Sequence, residues 1–186
     1  MKLFDKLEMK KIKIVAITGS TRNNSSNYKI LKFIAEQIKD LFEVEIFENI
    51  DKLPHFNPDL DSETPPQEVV SFRNKIDNAG GVIICTPEYI FSLPGSLKNA
   101  LEWCVSTTVF SNKRTGLITA SASGEMGHEQ LILIMQTLEA NLKEDTQLLI
   151  SGIRGKINEK GEITNVETSD NLQNFISHYE NQFSVS

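Results

Sequence analysis

The feature that most constrains this chain is an alternation. Five short apolar runs, each bounded by turn residues, are separated by stretches with helical periodicity. The first run, IKIVAIT (12–18), is rich in β-branched residues, apolar nearly throughout and stopped by Gly19. A strand with one wet face alternates polar and apolar positions, so an unbroken apolar run of this length reads as a strand covered on both faces. Ile30, Ile34, Ile38 and Leu41 then recur at helical spacing, joined by Leu31, Phe33 and Phe42, which predicts an amphipathic helix of about 16 residues. EVEIF (43–47) alternates charged and apolar positions, as expected of an edge strand.

The remaining runs continue the pattern. A helix is expected over 66–78, a strand at GVIICT (81–86), a helix over 96–105 and a strand at TGLITAS (115–121). A helix over 128–142, a strand at TQLLIS (146–151) and a helix over 170–182 complete the chain. Strand and helix alternating in this way imply an α/β fold with a parallel sheet covered on both faces. Two stretches interrupt the rhythm. NIDKLPHFNPDLDSETPPQ (49–67) holds four of the six prolines, and loops of that length are typically functional or mobile. The polar stretch RGKINEKGEITNVETSD (154–170) reads as a hairpin-like surface excursion.

Composition bounds what such a sheet does. At 186 residues, 39% hydrophobic and 24% charged, with no repeat or composition break, residues 12–186 are expected to form a single domain. Residues 1–11 are expected to be an extension, with Met9 as an alternative start. A net charge of −6 argues against nucleic-acid and anionic-membrane partners. No apolar run approaches the roughly 20 residues that cross a bilayer, and the N-terminus lacks a signal-peptide core, so a cytoplasmic protein is expected. Cys85 and Cys104 have no metal or redox spacing and read as free thiols. No HExxH or GxSxG pattern occurs, which removes the common zinc-hydrolase and serine-hydrolase readings. His128 reads as a solvated residue at a helix start.

In doubly wound sheets ligands bind at the carboxyl ends of strands, which nominates the loops after Thr18, Cys85 and Ala120. The first, GSTRNNSSN (19–27), joins a strand to a helix through glycine, hydroxyls, amides and one arginine. Free backbone N–H groups and the helix dipole make such a junction an anion site, and Arg22 can grip a phosphate bidentately. Taken alone, the same residues also fit a turn at Asn23-Asn24 and a helix capped by Ser25 or Ser26; the strand before and the helix after favour phosphate. Neither the triphosphate P-loop nor the GxGxxG dinucleotide pattern is present. The second loop opens TPEYIFSLPGSLKNALEW (86–103), where two prolines stiffen the chain and Tyr89 and Phe91 offer flat apolar surface suited to a planar heterocycle. The alternative is a structural turn with these aromatics and Trp103 tucked into the core or a subunit interface, and that is the place expected of Phe91 and Trp103.

GSTRNNSSN together with PEYIFSLPGSLKNALEW resembles the NAD(P)H-dependent FMN reductase family, whose patterns run GSxRxxSxN and PEYNxSxPGxLKNA[IL][DE]W. With the proline-rich loop and ASASGEMG, the resemblance spans most of residues 12–150. It implies a flavodoxin-like three-layer sandwich, strand order 2-1-3-4-5, non-covalent FMN, NADPH or NADH as co-substrate, and a homodimer or homotetramer. It places the phosphate on Ser20, Arg22, Ser25 and Asn27, with the Ser26 backbone in the same turn. Pro87, Glu88 and Tyr89 would line the isoalloxazine largely through main chain, with Ile90, Ser121, Ser123 and Gly124 also at the cofactor. The implied reaction is ping-pong: NAD(P)H reduces FMN and a small acceptor (free flavin, quinone, azo dye or metal oxyanion) reoxidises it, with no side-chain acid or base required. A flavodoxin-like electron carrier is the alternative. Two positions depart from the family pattern: Ile90 stands where asparagine is usual, and Glu125 replaces a glycine and is expected to point outward. Glu88 is expected to form an interface or flavin-side ion pair, with Lys98 as a possible partner.

Overall fold

The protein is described by a computed structural model covering residues 11–22 and 24–184, so nearly all of the expected extension 1–11 lies outside the described residues. Five strands, β1 (Ile12–Thr18), β2 (Phe42–Phe47), β3 (Gly81–Thr86), β4 (Arg114–Ser121) and β5 (Asn141–Ser151), form one parallel sheet in the order β2-β1-β3-β4-β5. Five helices connect or follow them: α1 (Ser26–Gln37), α2 (Gln67–Asp77), α3 (Gly95–Glu102), α4 (Glu125–Thr137) and α5 (Val166–Asn181). This is the flavodoxin-like arrangement that the sequence implied, with β2 outermost.

The period-two geometry of the strands sorts their side chains onto two cores. Val15, Ile17, Val82, Ile84 and Leu117 face α2, α3 and α4, packing on Phe72, Leu97, Trp103, Leu131 and Met135. Ile14, Ala16, Ile83, Cys85 and Ile118 face α1 and α5, packing on Ile30, Ile34, Leu172, Phe175 and Tyr179. Trp103 is fully buried, its indole N–H donating to the Pro54 carbonyl at 2.7 Å, so its place is the core. That bond belongs to a set that pins the proline-rich loop: Asn99 bonds Pro54 and Phe56, while Arg73 and Ser106 both bond the Asp61 carboxylate. Burial raises the Asp61 pKa, but the hydrogen bonds from Ser106 and Arg73 outweigh it and hold the carboxyl below its usual range.

Several element boundaries differ from expectation, and α3 ends at Glu102, three residues early. α1 ends at Gln37; Leu41 is 55% exposed and Phe42 already pairs with Ile12 in the sheet. α4 begins at Glu125 and ends at Thr137. Glu139 there takes a φ of 60°, with Ala140 N–H bonding Met135 O and Glu139 N–H bonding Gln136 O. This is a Schellman stop, built on a glutamate where glycine is usual. β5 has 11 residues, not six, because its first half is the exposed Lys143–Asp145 side of an irregularity opposite Thr115–Leu117. α5 starts at Val166, where Asn165 accepts the Thr168 N–H at 2.9 Å. The excursion before it is hairpin-like only as far as the Ile157–Ile163 bridge. Among the described residues no helix is long and apolar enough to cross a membrane.

Candidate functional site

β1, β3 and β4 end together, and the loops that leave them are cross-tied. Gly19 N–H donates to the Cys85 carbonyl at 2.9 Å. A Cβ on Gly19 would lie 2.1 Å from Thr86 Oγ1, so only glycine fits where the first loop crosses β3. Beyond it Thr18 Oγ1 accepts the Ser20 N–H and Ser20 Oγ accepts the Arg22 N–H, both at 3.3 Å. Ser25 caps α1 by accepting the Tyr28 N–H at 3.2 Å. The capping reading of Ser25 is therefore correct, and it is compatible with anion binding, since its O–H remains a donor. α1 has no acidic residue in its first turn, and the Ser26 and Asn27 N–H groups have no acceptor among the described residues. Asn27 is only 4% exposed; its amide donates to the Ala120 carbonyl and its oxygen accepts the Cys85 thiol, both at 3.2 Å. It ties α1 to the ends of β3 and β4. Burial raises the pKa of both thiols, Cys104 to about 12, so neither titrates near neutrality.

The second loop turns sharply. Tyr89 and Ser92 exchange backbone hydrogen bonds at 2.9 and 3.1 Å, and the two residues between them, Ile90 and Phe91, have φ values of 51° and 55°. Positive φ at both central positions is the pattern of a type I′ turn, which asparagine tolerates and isoleucine resists. Gln130 holds the turn from α4, donating to the Phe91 carbonyl at 2.9 Å and accepting from Ser92 Oγ at 2.7 Å. Phe91 is 71% exposed, which removes it from the core, and Ile90 is 94% exposed.

Glu88 joins the second loop to the third. One of its carboxylate oxygens accepts the Gly127 N–H at 2.8 Å, the other lies 3.5 Å from Ser123 Oγ, and its main-chain carbonyl lies 3.4 Å from Ser121 Oγ. Gly124, at φ 113°, opens α4 without a side-chain cap, so Glu88 caps that helix from 39 residues away. A Cβ on Gly127 would stand 3.1 Å from the Glu88 stem. Lys98 is not its partner; that ammonium bonds Glu102 at 2.6 Å. Glu125 is exposed, as expected. His128 is half-buried and not freely solvated: its Nδ1 lies 2.9 Å from Thr119 Oγ1 on β4, and burial lowers its pKa.

These loops enclose a cleft of about 270 Å³. Nine of the twelve residues expected at the cofactor line it: Ser20, Arg22, Ser25, Ser26, Asn27, Pro87, Glu88, Tyr89 and Ser121. Ile90, Ser123 and Gly124 do not. Ile90 points to solvent, Ser123 turns to Glu88, and Gly124 is packed near Thr119 and Leu149. Four further residues line the cleft: Ala120, Ala122, Ile153 and Arg154. The last two come from a short 3₁₀ turn after β5, and Arg154 opens the stretch 154–170 that reads from sequence only as polar surface. Among the described residues no group of three or more His, Cys, Asp or Glu side chains is placed to hold a metal ion.

Residues 12–154 match the model of a family described as NADPH-dependent FMN reductase. The chain is 33% identical over 155 residues to the NADH:(hydroxy)cinnamate reductase subunit CrdA of Vibrio ruber, covering 80% of this chain and 76% of that protein. It is 30% identical over 175 residues to a 2-hydroxy-1,4-benzoquinone reductase of a Burkholderia species, covering 90% and 94% respectively. The fold is similar to that of FerB, a flavoenzyme NAD(P)H:(acceptor) oxidoreductase from Paracoccus denitrificans, with a TM-score of 0.80, 23% identity and coverage of 91% and 96%. By the extent of the family match and these identities, the chain belongs to the NADPH-dependent FMN reductase family.

Proposed function

We propose that this oxidoreductase holds FMN at the carboxyl ends of β1, β3 and β4 and passes reducing equivalents from NAD(P)H to a small acceptor, the two substrates using the same open face in turn. The observation that carries this reading is convergence: two sequence segments about 60 residues apart, the 20–27 loop and the 87–89 loop, line one cleft with β4. The cleft's chemistry suits a phosphate monoester with an apolar head. Arg22, the Ser20 and Ser25 hydroxyls and the free N–H groups at the start of α1 would hold the phosphate. Pro87, the Tyr89 ring and the β4 backbone would border the flavin ring. When bound, FMN supplies the redox chemistry itself.

What the chain contributes is position. The Gly127–Glu88 and Gln130–Phe91 bonds fix the second loop against α4, so the walls around the ring are set before any ligand arrives. Backbone N–H groups from the second and third loops would favour negative charge developing on the ring. The relatives' names, which include a benzoquinone and a cinnamate substrate, support a small planar acceptor. The same reading takes the protein as a cytoplasmic homodimer or homotetramer; the exposed Tyr89–Phe91 turn and the two buried free thiols support it.

The test is anaerobic. Purified protein loaded with FMN should bleach within seconds of mixing with NADPH or NADH and recolour on adding a quinone. A flavin that dithionite reduces but neither nicotinamide does would make the protein an electron carrier instead.

A further inference from the structure

The chain has four arginines, and their surroundings divide them into two pairs. Arg73 is fully engaged, bonding Asp61 at 2.8 Å, the Trp103 carbonyl and Ser106. Arg114 lies over the Phe183 ring, 4.9 Å from its centroid. The guanidinium groups of Arg22 and Arg154 have no hydrogen-bond, ion-pair or ring partner among the described residues. These two, from opposite ends of the sequence, line the same cleft. A chain of net charge −6 has carboxylates to spare for pairing, so two unpartnered arginines meeting at one cleft call for an anion there.

Arg154 is held in place by its backbone. The adjoining Ile153 is buried, Gly152 at φ 66° donates its N–H to Ala122 O at 3.0 Å, and Ser151 Oγ bonds Ser123 O at 2.9 Å. On its other side Lys29 of α1 bonds the Asn158 carbonyl at 3.2 Å. The turn that presents Arg154 is thus tied both to the loop after β4 and to α1. Its guanidinium is solvated and free to meet a ligand.

Charge decides which anion. A phosphate monoester carries about −1.5 to −2 at neutral pH; one guanidinium and a helix dipole of about half a charge leave up to about half a charge of the dianion unmatched. A second cleft of about 260 Å³ shares Ser20 and Arg22, but it is lined by Glu48, whose carboxylate accepts the Tyr28 hydroxyl at 2.6 Å. A dianion is disfavoured there. In the Arg154 cleft the one carboxylate among the described residues, Glu88, is turned to Gly127. We infer that Arg154 is a second phosphate ligand, making the site selective for FMN over unphosphorylated flavin. This rests on the reading of the cleft as the FMN site.

The apoprotein titrated with FMN and with riboflavin, followed by quenching of flavin fluorescence, tests it. Wild type should prefer FMN. Arg154→Ala should weaken FMN binding by about 10- to 100-fold, the usual worth of a charge-assisted hydrogen bond, with riboflavin affinity unchanged. Arg154→Lys, which keeps the charge without the fork, should fall between. The loss should shrink in high salt. Unchanged FMN affinity in Arg154→Ala would overturn the inference, and a raised KM for NADPH alongside it would move Arg154 to the nicotinamide nucleotide. Equal losses for both flavins would also overturn it, as general damage to the cleft. Wild-type protein that binds neither flavin would defeat the FMN reading itself.

Discussion

Two helices start at the same end of this sheet, and the protein treats their positive ends differently. α4 opens at Gly124 with no local cap, takes the Glu88 carboxylate on its Gly127 N–H, and carries Glu125 in its first turn. α1 is capped only by the neutral Ser25, has no acid in its first turn, and faces Arg22 and Arg154. Each is an anion site by its backbone alone. One is filled by the protein's own carboxylate and serves as a brace between loops. At the other, among the described residues, no protein carboxylate takes a backbone N–H of the first turn. A helix start therefore signals a ligand only when the chain declines to neutralise it.

The comparison can be broken at either helix. The largest effect is expected at α1: Arg22→Ala should cost about 2–3 kcal/mol of FMN binding, read as a Kd, with little change in apoprotein stability. At α4 the pattern should invert. Glu88→Ala should cost the apoprotein about 1–2 kcal/mol, the worth of a helix cap, seen in the denaturation midpoint, and Glu88→Gln should recover most of it because an amide oxygen still accepts the Gly127 N–H. Equal damage to stability from Arg22→Ala and Glu88→Ala would erase the distinction.

Smaller effects sharpen it. Ile90→Asn relieves a β-branched residue of positive φ and should raise stability by about 1 kcal/mol, with FMN affinity scarcely changed, since the side chain points away from the cleft. The smallest is a pH slope. Burial lowers the His128 pKa below its ordinary 6.5, so between the two values the unfolded chain binds the extra proton and stability falls as pH drops through about 6.5. Asp61, whose folded pKa is lowered, adds stability above its ordinary 3.8 that is lost in more acidic solution. Denaturation midpoints from pH 8 to 5 should show the first decline, and His128→Gln should flatten it.

What was legible in the sequence was what is local. IKIVAIT followed by glycine, hydroxyls and a helical pattern carries the first loop within about 20 residues, and β1, β3 and β4 register as apolar runs because the sheet is covered on both faces there. The errors have local causes of another kind. α4 stops on Glu139, a residue with no reputation for left-handed backbone, and the exposed half of β5 reads as loop because Lys143–Asp145 face water. Two features of the site are invisible along the chain because they join distant segments: Glu88 to Gly127, and Arg154 to the 20–27 loop. Only Ile90 left a hint. The family pattern prefers asparagine at that position, which is a clue to positive φ, and Ile90 has a φ of 51°.

A crystal structure of the protein grown with FMN tests the central claim most directly, through the distance from the phosphorus to each helix start. The phosphate is expected against the Ser26 and Asn27 N–H groups, between Arg22 and Arg154, with Glu88 still on Gly127. A phosphate seated on α4 in place of Glu88, or Arg22 folded onto a protein carboxylate while FMN lies elsewhere, would contradict it.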